Sequence, residues 1–290
     1  MQAPHLTASV VLYFSKTEVL QQQLDSLQSA MLELCKEHPA AALTLYWVDN
    51  SVSSDYHQSL IKLLADKVLP SNITIELIRS PANRGYGDAH NQALGRLNVE
   101  SNIDNNTKSL VSEALAHDYH LLLNPDVYLS PGCLLECFRQ MESSPEIGLL
   151  TGQIANNYEA VPHVAKRFPG LRTLLGRYLR LPLWLQEQQK YIYADKDPKD
   201  VFDVELAGGC FYFCRLSALR SVAGFDDRYF LYFEDFDLCQ RLRNQAWVLR
   251  YSPDIAFEHD GGGVKSKSLR HQWFFFCSAF RFYRNHGWRW

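Results

Sequence analysis

The chain has 290 residues, of which 47% are hydrophobic, and its formal net charge is −3. It is long enough to bury a full core, and its slightly acidic balance is not that of a nucleic-acid-binding protein, which needs a basic face. The seven cysteines lack the spacing of a zinc site, so we interpret them as reduced, buried thiols in a cytoplasmic protein. The N-terminus has no signal-peptide pattern, and no charge-poor apolar run reaches about 18 residues, so we expect no membrane-spanning helix.

The first half alternates short apolar runs with amphipathic stretches. The runs rich in β-branched and aromatic residues predict buried parallel strands, and apolar residues at helical spacing predict helices. The predicted strands are residues 8–14, 42–50, 73–78, 120–126 and 147–155. The predicted helices are residues 16–35, 56–68, 88–97 and 131–141. This alternation predicts βαβ units around a parallel sheet.

The second half is less regular. Residues 156–200 combine prolines, basic residues and aromatics without a clean period. Beyond them, the pattern predicts strands at residues 204–215 and 247–253, a helix at 234–244, and a helical tail from Lys267. Because no repeat or flexible linker interrupts the chain, we expect a single α/β domain over residues 1–290.

Polar side chains stand where three of the predicted strands end. Asp49 and Asn50 end the second strand, a loop with Gly85 follows the third, and Asn124 and Asp126 end the fourth. Ligands of parallel α/β sheets bind at the carboxyl ends of the strands. Each segment alone is also a good turn or helix N-cap, so both interpretations stay open.

Residues 224–243 place several carboxylates among aromatic side chains. The carboxylates are Asp226, Asp227, Glu234, Asp235 and Asp237. Such a cluster needs a cation, basic side chains or shared protons to offset its repulsion. Glu234 and Asp235 also suit the first turn of a helix, where the dipole favours negative charge. A carboxylate at a helix start beside aromatics is at the same time well placed to act as a general base.

Taken in order, these segments resemble the family 2 glycosyltransferases of the GT-A fold, and among them the bacterial rhamnosyltransferases of cell-surface polysaccharide synthesis. The matching segments are VVLYF, WVDNS, NRGYGDAHNQAL, LLLNPDV, LAGGCFYFCR, GFDDRYFLYFEDFDLCQRL and FEHDGGGVKS. The resemblance implies a Rossmann-like, mostly parallel central sheet flanked by helices. It also implies a nucleotide-sugar-binding half at about residues 1–126 and an acceptor-binding half at about 127–290, with a helical tail. Residues 99–118 and 156–200 match poorly.

The resemblance further implies roles for individual residues. Asp235 would deprotonate the acceptor hydroxyl, with Glu234 beside it. Asp126 would be the second carboxylate of a metal-binding Asp-x-Asp motif, and His259 a further ligand of Mg²⁺ or Mn²⁺. The nucleotide donor would be held by Phe14, Asp49, Asn50, Arg84, Gly85, Asn91, Asn124, Lys265 and Arg270. The acceptor side would be bordered by Gly208, Gly209 and Asp237.

Asn124 departs from the commoner family pattern, because it stands where many relatives have the first aspartate of that motif. A neutral amide is a poorer ligand for a hard divalent cation than a carboxylate. Strict metal dependence is therefore open, and His259 is equally suited to a structural role. The sequence has no glycine-rich P-loop that would replace the metal.

We therefore expect an inverting glycosyltransferase. The resemblance favours L-rhamnose from dTDP-rhamnose as the donor sugar and a saccharide or polyprenyl-diphosphate-linked saccharide as the acceptor. A UDP- or GDP-sugar donor is the nearest alternative, and a non-catalytic carbohydrate-binding or scaffold protein of the same fold is an alternative of another class. A nucleotidyltransferase is disfavoured because the first strand lacks a glycine-rich, basic signature after it. No nucleic-acid partner is expected, and the oligomeric state is open.

Two segments mix basic residues with leucine, tryptophan and other aromatics. They are residues 166–186, which include Lys166, Arg167, Arg172, Arg177, Arg180 and Trp184, and residues 281–290. This composition suits a helix on a membrane surface, although an ordinary amphipathic helix is the alternative. We expect a cytoplasmic enzyme that touches the inner face of the cytoplasmic membrane.

Overall fold

The computed structural model describes residues 5–100, 119–155, 164–173, 185–261 and 269–288. Its strands are β1 (His5–Leu12), β2 (Ala42–Asp49), β3 (Ile73–Arg79), β4 (Tyr119–Leu123), β5 (Val127–Leu129), β6 (Ile147–Ile154), β7 (Ala165–Lys166), β8 (Phe202–Asp203), β9 (Leu206–Ala207), β10 (Phe211–Arg215) and β11 (Val248–His259). Its helices are α1 (Thr17–Glu37), α2 (Ser54–Ala65), α3 (Tyr86–Glu100), α4 (Cys133–Ser143), α5 (Leu185–Tyr191), α6 (Leu216–Ser221), α7 (Glu234–Asn244) and α8 (Leu269–His286).

One sheet runs through both halves of the chain, in the order β3-β2-β1-β4-β10-β6-β11-β5, with β8 added at β11. The strands from the first half, β1 to β4, pair in parallel, and β4 is buried along its whole length. β10 runs antiparallel to both β4 and β6, while β11 is parallel to β6. The predicted α/β class, with a mostly parallel central sheet and flanking helices, is confirmed.

A buried polar chain fixes α3 against the middle of this sheet. The Ser9 hydroxyl of β1 lies 2.7 Å from His90 Nδ1 of α3 and 2.8 Å from His120 Nε2 of β4. Burial lowers the pKa of both histidines to about 3, so both rings are neutral. The start of α3, which reaches the site described below, is thus tied to two core strands.

The predicted strand at residues 204–215 is wrong, because the segment is broken in two. β9 pairs with β7 in a small separate sheet, whereas β10 joins the main sheet. Gly208 and Gly209 lie in the break, where the backbone passes close to α7: a Cβ on Gly209 would lie 3.0 Å from Asp235 Cβ. Gly209 is the member of the glycine pair that this close approach requires, since a Cβ on Gly208 would lie 3.8 Å from its nearest neighbour, the Val164 carbonyl oxygen.

Most of the other predicted elements are present with shifted ends. Helix α7 has the predicted bounds, whereas β4 ends at Leu123, before the predicted residue 126. The short strands β5, β7 and β8 and the helices α5 and α6 were not predicted. Among the described helices, none is both long and apolar enough to cross a bilayer.

Candidate active site

A cavity of about 490 Å³ opens where β1, β2 and β4 end. One wall comes from the loops that follow these strands and from the start of α3; the other comes from the segment before α7 and from α8. The lining residues are Val11, Tyr13, Asn50, Asn83, Gly85, Tyr86, Asn124, Pro125, Phe230, Leu231, Arg270, His271 and Phe274. Four residues predicted to hold the nucleotide, Asn50, Gly85, Asn124 and Arg270, are thus brought together.

Gly85 joins the two walls. Its φ of +112° is a conformation that favours glycine, and a Cβ there would lie 2.7 Å from Phe230 Cα. The next amide, that of Tyr86, donates to the Phe230 carbonyl at 3.1 Å. Asn50 Nδ2 donates to the Gly85 carbonyl at 3.1 Å, while Asn50 Oδ1 is buried without a hydrogen-bond partner in the described part of the chain. Asn50 thus ties the end of β2 to the Gly85 loop in the cavity wall.

Two neighbouring carboxylates begin α7. Asp235 is half-buried, and its carboxylate accepts hydrogen bonds from the amides of Gly209 at 3.1 Å and Phe236 at 2.8 Å. Glu234 is only 6% exposed, and its Oε2 has no hydrogen-bond partner among the described residues. Burial raises the pKa of Asp235, an effect that the two amides offset in part, and burial followed by the Asp235 charge raises the pKa of Glu234. Asp235 is the better placed of the two to carry the negative charge.

A strained turn sets the direction of α7. Tyr232 and Phe233 precede the helix with φ of +71° and +64°, a region that non-glycine residues seldom adopt. Contacts from α8 hold them there: the Tyr232 hydroxyl lies 3.0 Å from His271 Nδ1, and the Phe233 ring is 5.3 Å from that of Phe282. Each such residue costs about 1–3 kcal/mol and persists only where its surroundings enforce it. This enforced turn sets the direction in which the first turn of α7 points.

The pairing of β5 with β11 brings Asp126 and His259 together. His259 lies opposite Val127 in this antiparallel pair, and its Nε2 is 3.4 Å from Asp126 Oδ1. Although burial opposes the charged form, bonding to Asp126 and Cys210 raises the pKa of His259 to about 10. Neighbouring ligands around an octahedral cation with bonds near 2.1 Å are about 3 Å apart, so the two side chains are close enough to be neighbouring ligands once His259 Nε2 gives up its proton. Within the described ranges, no group of three or more His, Cys, Asp or Glu side chains forms a complete metal site.

Tyr86 links the ends of the two halves. Its hydroxyl lies 2.9 Å from Asn124 Oδ1 and 3.0 Å from the Gly209 carbonyl oxygen. From the other side, Gln23 Nε2 of α1 donates to the Asn124 carbonyl at 2.6 Å. Asn124 is thus held by its backbone and by its side chain, and its amide oxygen faces a hydroxyl.

The model of the family described as "Glycosyl transferase family group 2" matches residues 121–289, more than half of the chain. The chain belongs to this glycosyltransferase family. The predicted family and enzyme class are therefore confirmed.

Two relatives have names that specify a sugar. An N-acetylglucosaminyl-diphospho-decaprenol L-rhamnosyltransferase of Mycobacterium tuberculosis is 27% identical over 237 residues, which are 79% of this chain and 69% of that protein. The rhamnosyltransferase WbbL of Escherichia coli K12 is 29% identical over 163 residues, which are 53% of this chain and 58% of that protein.

A solved structure shares the fold. It is the mannosyltransferase PcManGT of Pyrobaculum calidifontis in complex with GDP-Man and Mn²⁺, with a TM-score of 0.56 and 12% sequence identity. The match covers 97% of this chain, which spans 65% of the length of that protein. The implied GT-A fold of this glycosyltransferase is confirmed.

Three predicted donor residues of the glycosyltransferase lie beside the cavity but not in its wall. Asp49 is fully buried, and its carboxylate accepts from the Ser51 hydroxyl at 2.6 Å and lies 2.9 Å from His57 Nδ1. Phe14 is 55% exposed and has a φ of +54°. Arg84 is also exposed, and its guanidinium lies 3.2 Å from Asp227.

Two other predicted residues have structural contacts instead. The Asn91 side chain accepts from the Phe225 amide at 2.9 Å, donates to its carbonyl at 2.8 Å and lines a separate cavity of about 400 Å³. Asp237, predicted at the acceptor side, is 1% exposed and lies 2.7 Å from Arg241 Nε and 2.8 Å from His286 Nε2. It ties α7 to α8. Lys265 lies outside the described residues.

Tyr86, Gln23 and Cys210 are site residues that the sequence did not reveal. Gln23 had a detectable signal, because it is a polar residue at a core-facing position of α1 between Leu20 and Leu24. The contacts of Tyr86 and Cys210 depend on loops that meet only in the folded chain.

Proposed function

We propose that this glycosyltransferase inverts the anomeric centre as it moves a sugar from a nucleotide-diphosphate donor to a hydroxyl of a saccharide or polyprenyl-diphosphate-linked saccharide. The observation that carries the proposal is Asp235, held by two backbone amides at the start of α7. L-Rhamnose from dTDP-rhamnose is the proposed donor, and the names of the two relatives support it. Residues 1–126 form the donor half and residues 127–290 the acceptor half of a single domain.

In the proposed step, Asp235 accepts the proton of the acceptor hydroxyl while that oxygen attacks the anomeric carbon. The bond from this carbon to the diphosphate oxygen breaks, and the nucleoside diphosphate leaves with the electron pair. General-base assistance of this kind is worth about 10²–10⁴-fold in rate. Gly208 and Gly209 border the acceptor, since Gly209 contacts the base directly.

Asp126 and His259 would hold Mg²⁺ or Mn²⁺, beside Asn124. When bound, such a cation supplies Lewis-acid stabilisation of the negative charge on the leaving diphosphate. Among the described residues that line the cavity, Arg270 is the one arginine or lysine, and we assign it to the donor diphosphate. Lys265 is proposed to assist it.

The proposed acceptor class defines where the enzyme works. The Mycobacterium tuberculosis relative is named for an acceptor in which N-acetylglucosamine is joined through a diphosphate to decaprenol. For this chain we propose a related lipid-linked acceptor and a reaction in the cytoplasm, at the inner face of the cytoplasmic membrane.

The test is sugar transfer by Asp235→Asn, which keeps the side-chain shape and one of the two amide contacts but removes the base. We expect turnover to fall by about 10²–10⁴-fold with donor affinity retained. Asp254→Asn, at an exposed position of β11 outside the cavity wall, is the matched control and should keep full activity. Near-normal turnover of Asp235→Asn rules out the base assignment. A wild-type protein that binds saccharide but transfers no sugar from any nucleotide donor supports a non-catalytic binder instead.

A further inference from the structure

Helix α8 has one packed face and one exposed apolar face. Ser278, Ala279, Phe282 and Tyr283 are buried against the core. On the opposite side lie large apolar side chains, which we call the α8 outer stripe: Leu269 (84% exposed), Trp273 (68%), Phe276 (54%) and Phe280 (59%). Their spacing of four, three and four residues aligns them along a single face of the helix. Single exposed apolar residues are ordinary, but a contiguous stripe of this size marks an interaction surface.

The charges on helix α8 itself are all of one sign. Helix α8 contains no aspartate or glutamate, and exposed arginines stand near both of its ends, Arg270 and Arg284. Aromatic and leucine side chains flanked by arginines are the composition of helices that lie in the interface of an anionic bilayer. The exposed Trp288 continues the aromatic surface, since its ring is 6.1 Å from that of Phe280.

A second copy of the chain fits this surface less well than a bilayer does. If two stripes packed in antiparallel fashion, Arg270 of one copy would face Arg284 of the other. If they packed in parallel, each arginine would face its own equivalent. Either arrangement brings like charges together at the edges of an apolar contact, whereas anionic headgroups would neutralise them.

The same helix forms part of the cavity. Arg270, His271 and Phe274 line it, one helical turn or less from Trp273 of the stripe. A bilayer on the stripe therefore lies next to the cavity wall, where an acceptor anchored by a polyprenyl chain would present its sugar. The helix thus has one side toward the donor cavity and the other toward solvent.

We propose that the α8 outer stripe docks this enzyme on an anionic membrane surface and brings the cavity to lipid-linked acceptors. This inference rests on the proposed function for the acceptor class, but the surface itself is defined by exposure and charge alone. Binding to vesicles and transfer of sugar therefore test the two proposals separately.

The experiment uses the full chain and vesicles of phosphatidylcholine with or without phosphatidylglycerol. We expect wild-type protein to sediment with the anionic vesicles, less so as the salt concentration rises. The double variant Trp273→Gln/Phe276→Gln should bind them about tenfold or more weakly, because it removes the centre of the stripe. The control is Val68→Gln/Val201→Gln, which removes two exposed apolar side chains elsewhere (90% and 49% exposed) and should bind like wild type.

Transfer to a water-soluble acceptor without a lipid chain completes the design. The stripe variant should keep the wild-type rate in that assay and lose rate only with a polyprenyl-linked acceptor presented in vesicles. Unchanged vesicle binding by the stripe variant overturns the docking proposal. So does a wild type that ignores anionic vesicles but forms a dimer that the variant abolishes. If wild type binds vesicles and yet transfers sugar to neither acceptor, the proposed function fails while the docking surface stands.

Discussion

At the residue scale, the two neighbouring carboxylates at the start of α7, Glu234 and Asp235, favour a state in which only one of them is charged. Asp235 receives two backbone amides, whereas the buried Oε2 of Glu234 has no hydrogen-bond partner in the described structure. Their proximity in a poorly solvated place disfavours two negative charges at once. In the proposed mechanism, Glu234 therefore holds the proton, and Asp235 is left free to accept one from the acceptor hydroxyl.

This arrangement makes stability depend on pH. Because folding raises the pKa of Glu234, the folded state favours its protonated form, and that contribution to stability is lost as the pH rises through the raised value. Glu234→Gln removes the dependence. We expect its melting temperature relative to wild type to increase from about pH 4.5 to about pH 8.5, as measured by circular dichroism. Glu76→Gln, at an exposed position on β3, should show no such trend. A Glu234→Gln difference that is constant across this range contradicts the assignment.

Tyr86 offers a second test at this scale. Tyr86→Phe removes only the hydroxyl that lies between Asn124 and Gly209, so the loop that holds Asp235 loses one contact. A hydrogen bond of this kind is worth about 0.5–1.5 kcal/mol, and we expect turnover to fall by about 2- to 12-fold. Tyr251→Phe is the matched control, since its hydroxyl bonds to the Pro198 carbonyl at 2.9 Å, outside the cavity wall. If both variants lose melting temperature but neither loses turnover, Tyr86 has a purely structural role.

Sequence reasoning reaches some of these residues and not others. Asp126 and Asp235 stand in short family motifs, LLLNPDV and GFDDRYFLYFEDFDLCQRL, which can be recognised from neighbouring residues alone. The role of Tyr86 depends on partners 38 and 123 residues away in the chain, and no local pattern encodes such contacts. Asn91 and Asp237 also stand in family motifs, but their observed contacts are structural. Asn91 bonds the backbone of Phe225, and Asp237 bonds the side chain of Arg241.

At the scale of elements, the break between β9 and β10 positions Asp235, the proposed base. The Gly209 backbone comes so close to α7 that an added Cβ would lie 3.0 Å from Asp235 Cβ. Gly209→Ala should therefore displace Asp235 or the loop, and a misplacement of about 1 Å costs up to about 10²-fold in rate. We expect a loss of turnover with donor affinity retained, measured by steady-state kinetics and nucleotide binding.

Gly95 provides the control for that substitution. It lies within α3, and an added Cβ meets no atom within 4 Å. Gly95→Ala should stabilise the protein by about 0.5–1 kcal/mol, because alanine loses less backbone freedom in a helix. Equal kinetics of the two alanine variants would mean that the close approach of Gly209 has no part in holding the base.

Elements with a long, regular period were predictable, and short ones were not. Helix α1 has 21 residues, and its apolar side chains recur at helical spacing. Strand β2 is a run of eight buried or half-buried residues, which is recognisable as a buried strand. Strand β5 has three residues, too few to show any period, and the polar residues before it resemble an ordinary turn. The split of residues 204–215 was missed because apolar residues continue on both sides of the glycine pair.

At the scale of the whole molecule, donor binding should stabilise the folded state. A ligand at about 100 times its dissociation constant contributes about 2.7 kcal/mol. We expect dTDP or dTDP-rhamnose with Mn²⁺ or Mg²⁺ to raise the melting temperature, and EDTA or Asp126→Asn to abolish the metal-dependent part. Selective stabilisation by a UDP- or GDP-sugar would overturn the proposed donor while keeping the enzyme class. A metal-independent shift would remove Asp126 and His259 from the proposed ligand set.

The overall topology was only partly open to prediction. Strand–helix alternation predicts the parallel order of β1 to β4, because short βαβ connections permit few alternatives. The antiparallel insertion of β10 between β4 and β6 joins strands far apart in sequence, and each strand is buried and apolar in either direction. Periodicity therefore identifies β10 as a strand but does not give its orientation.

That insertion has a consequence for how such enzymes diversify. Along the shared edge, Phe211 pairs with Leu123 and Arg215 with Tyr119, so the half of the chain that contains Asp235 is built onto β4, the last of the four parallel strands from the first half. A gene recombination that exchanged residues 1–126 between relatives would have to match this edge side chain by side chain, or the hybrid would misfold. We therefore expect substitutions in the loops around the cavity, rather than an exchange of halves, to be the tolerated route to altered donor or acceptor preference.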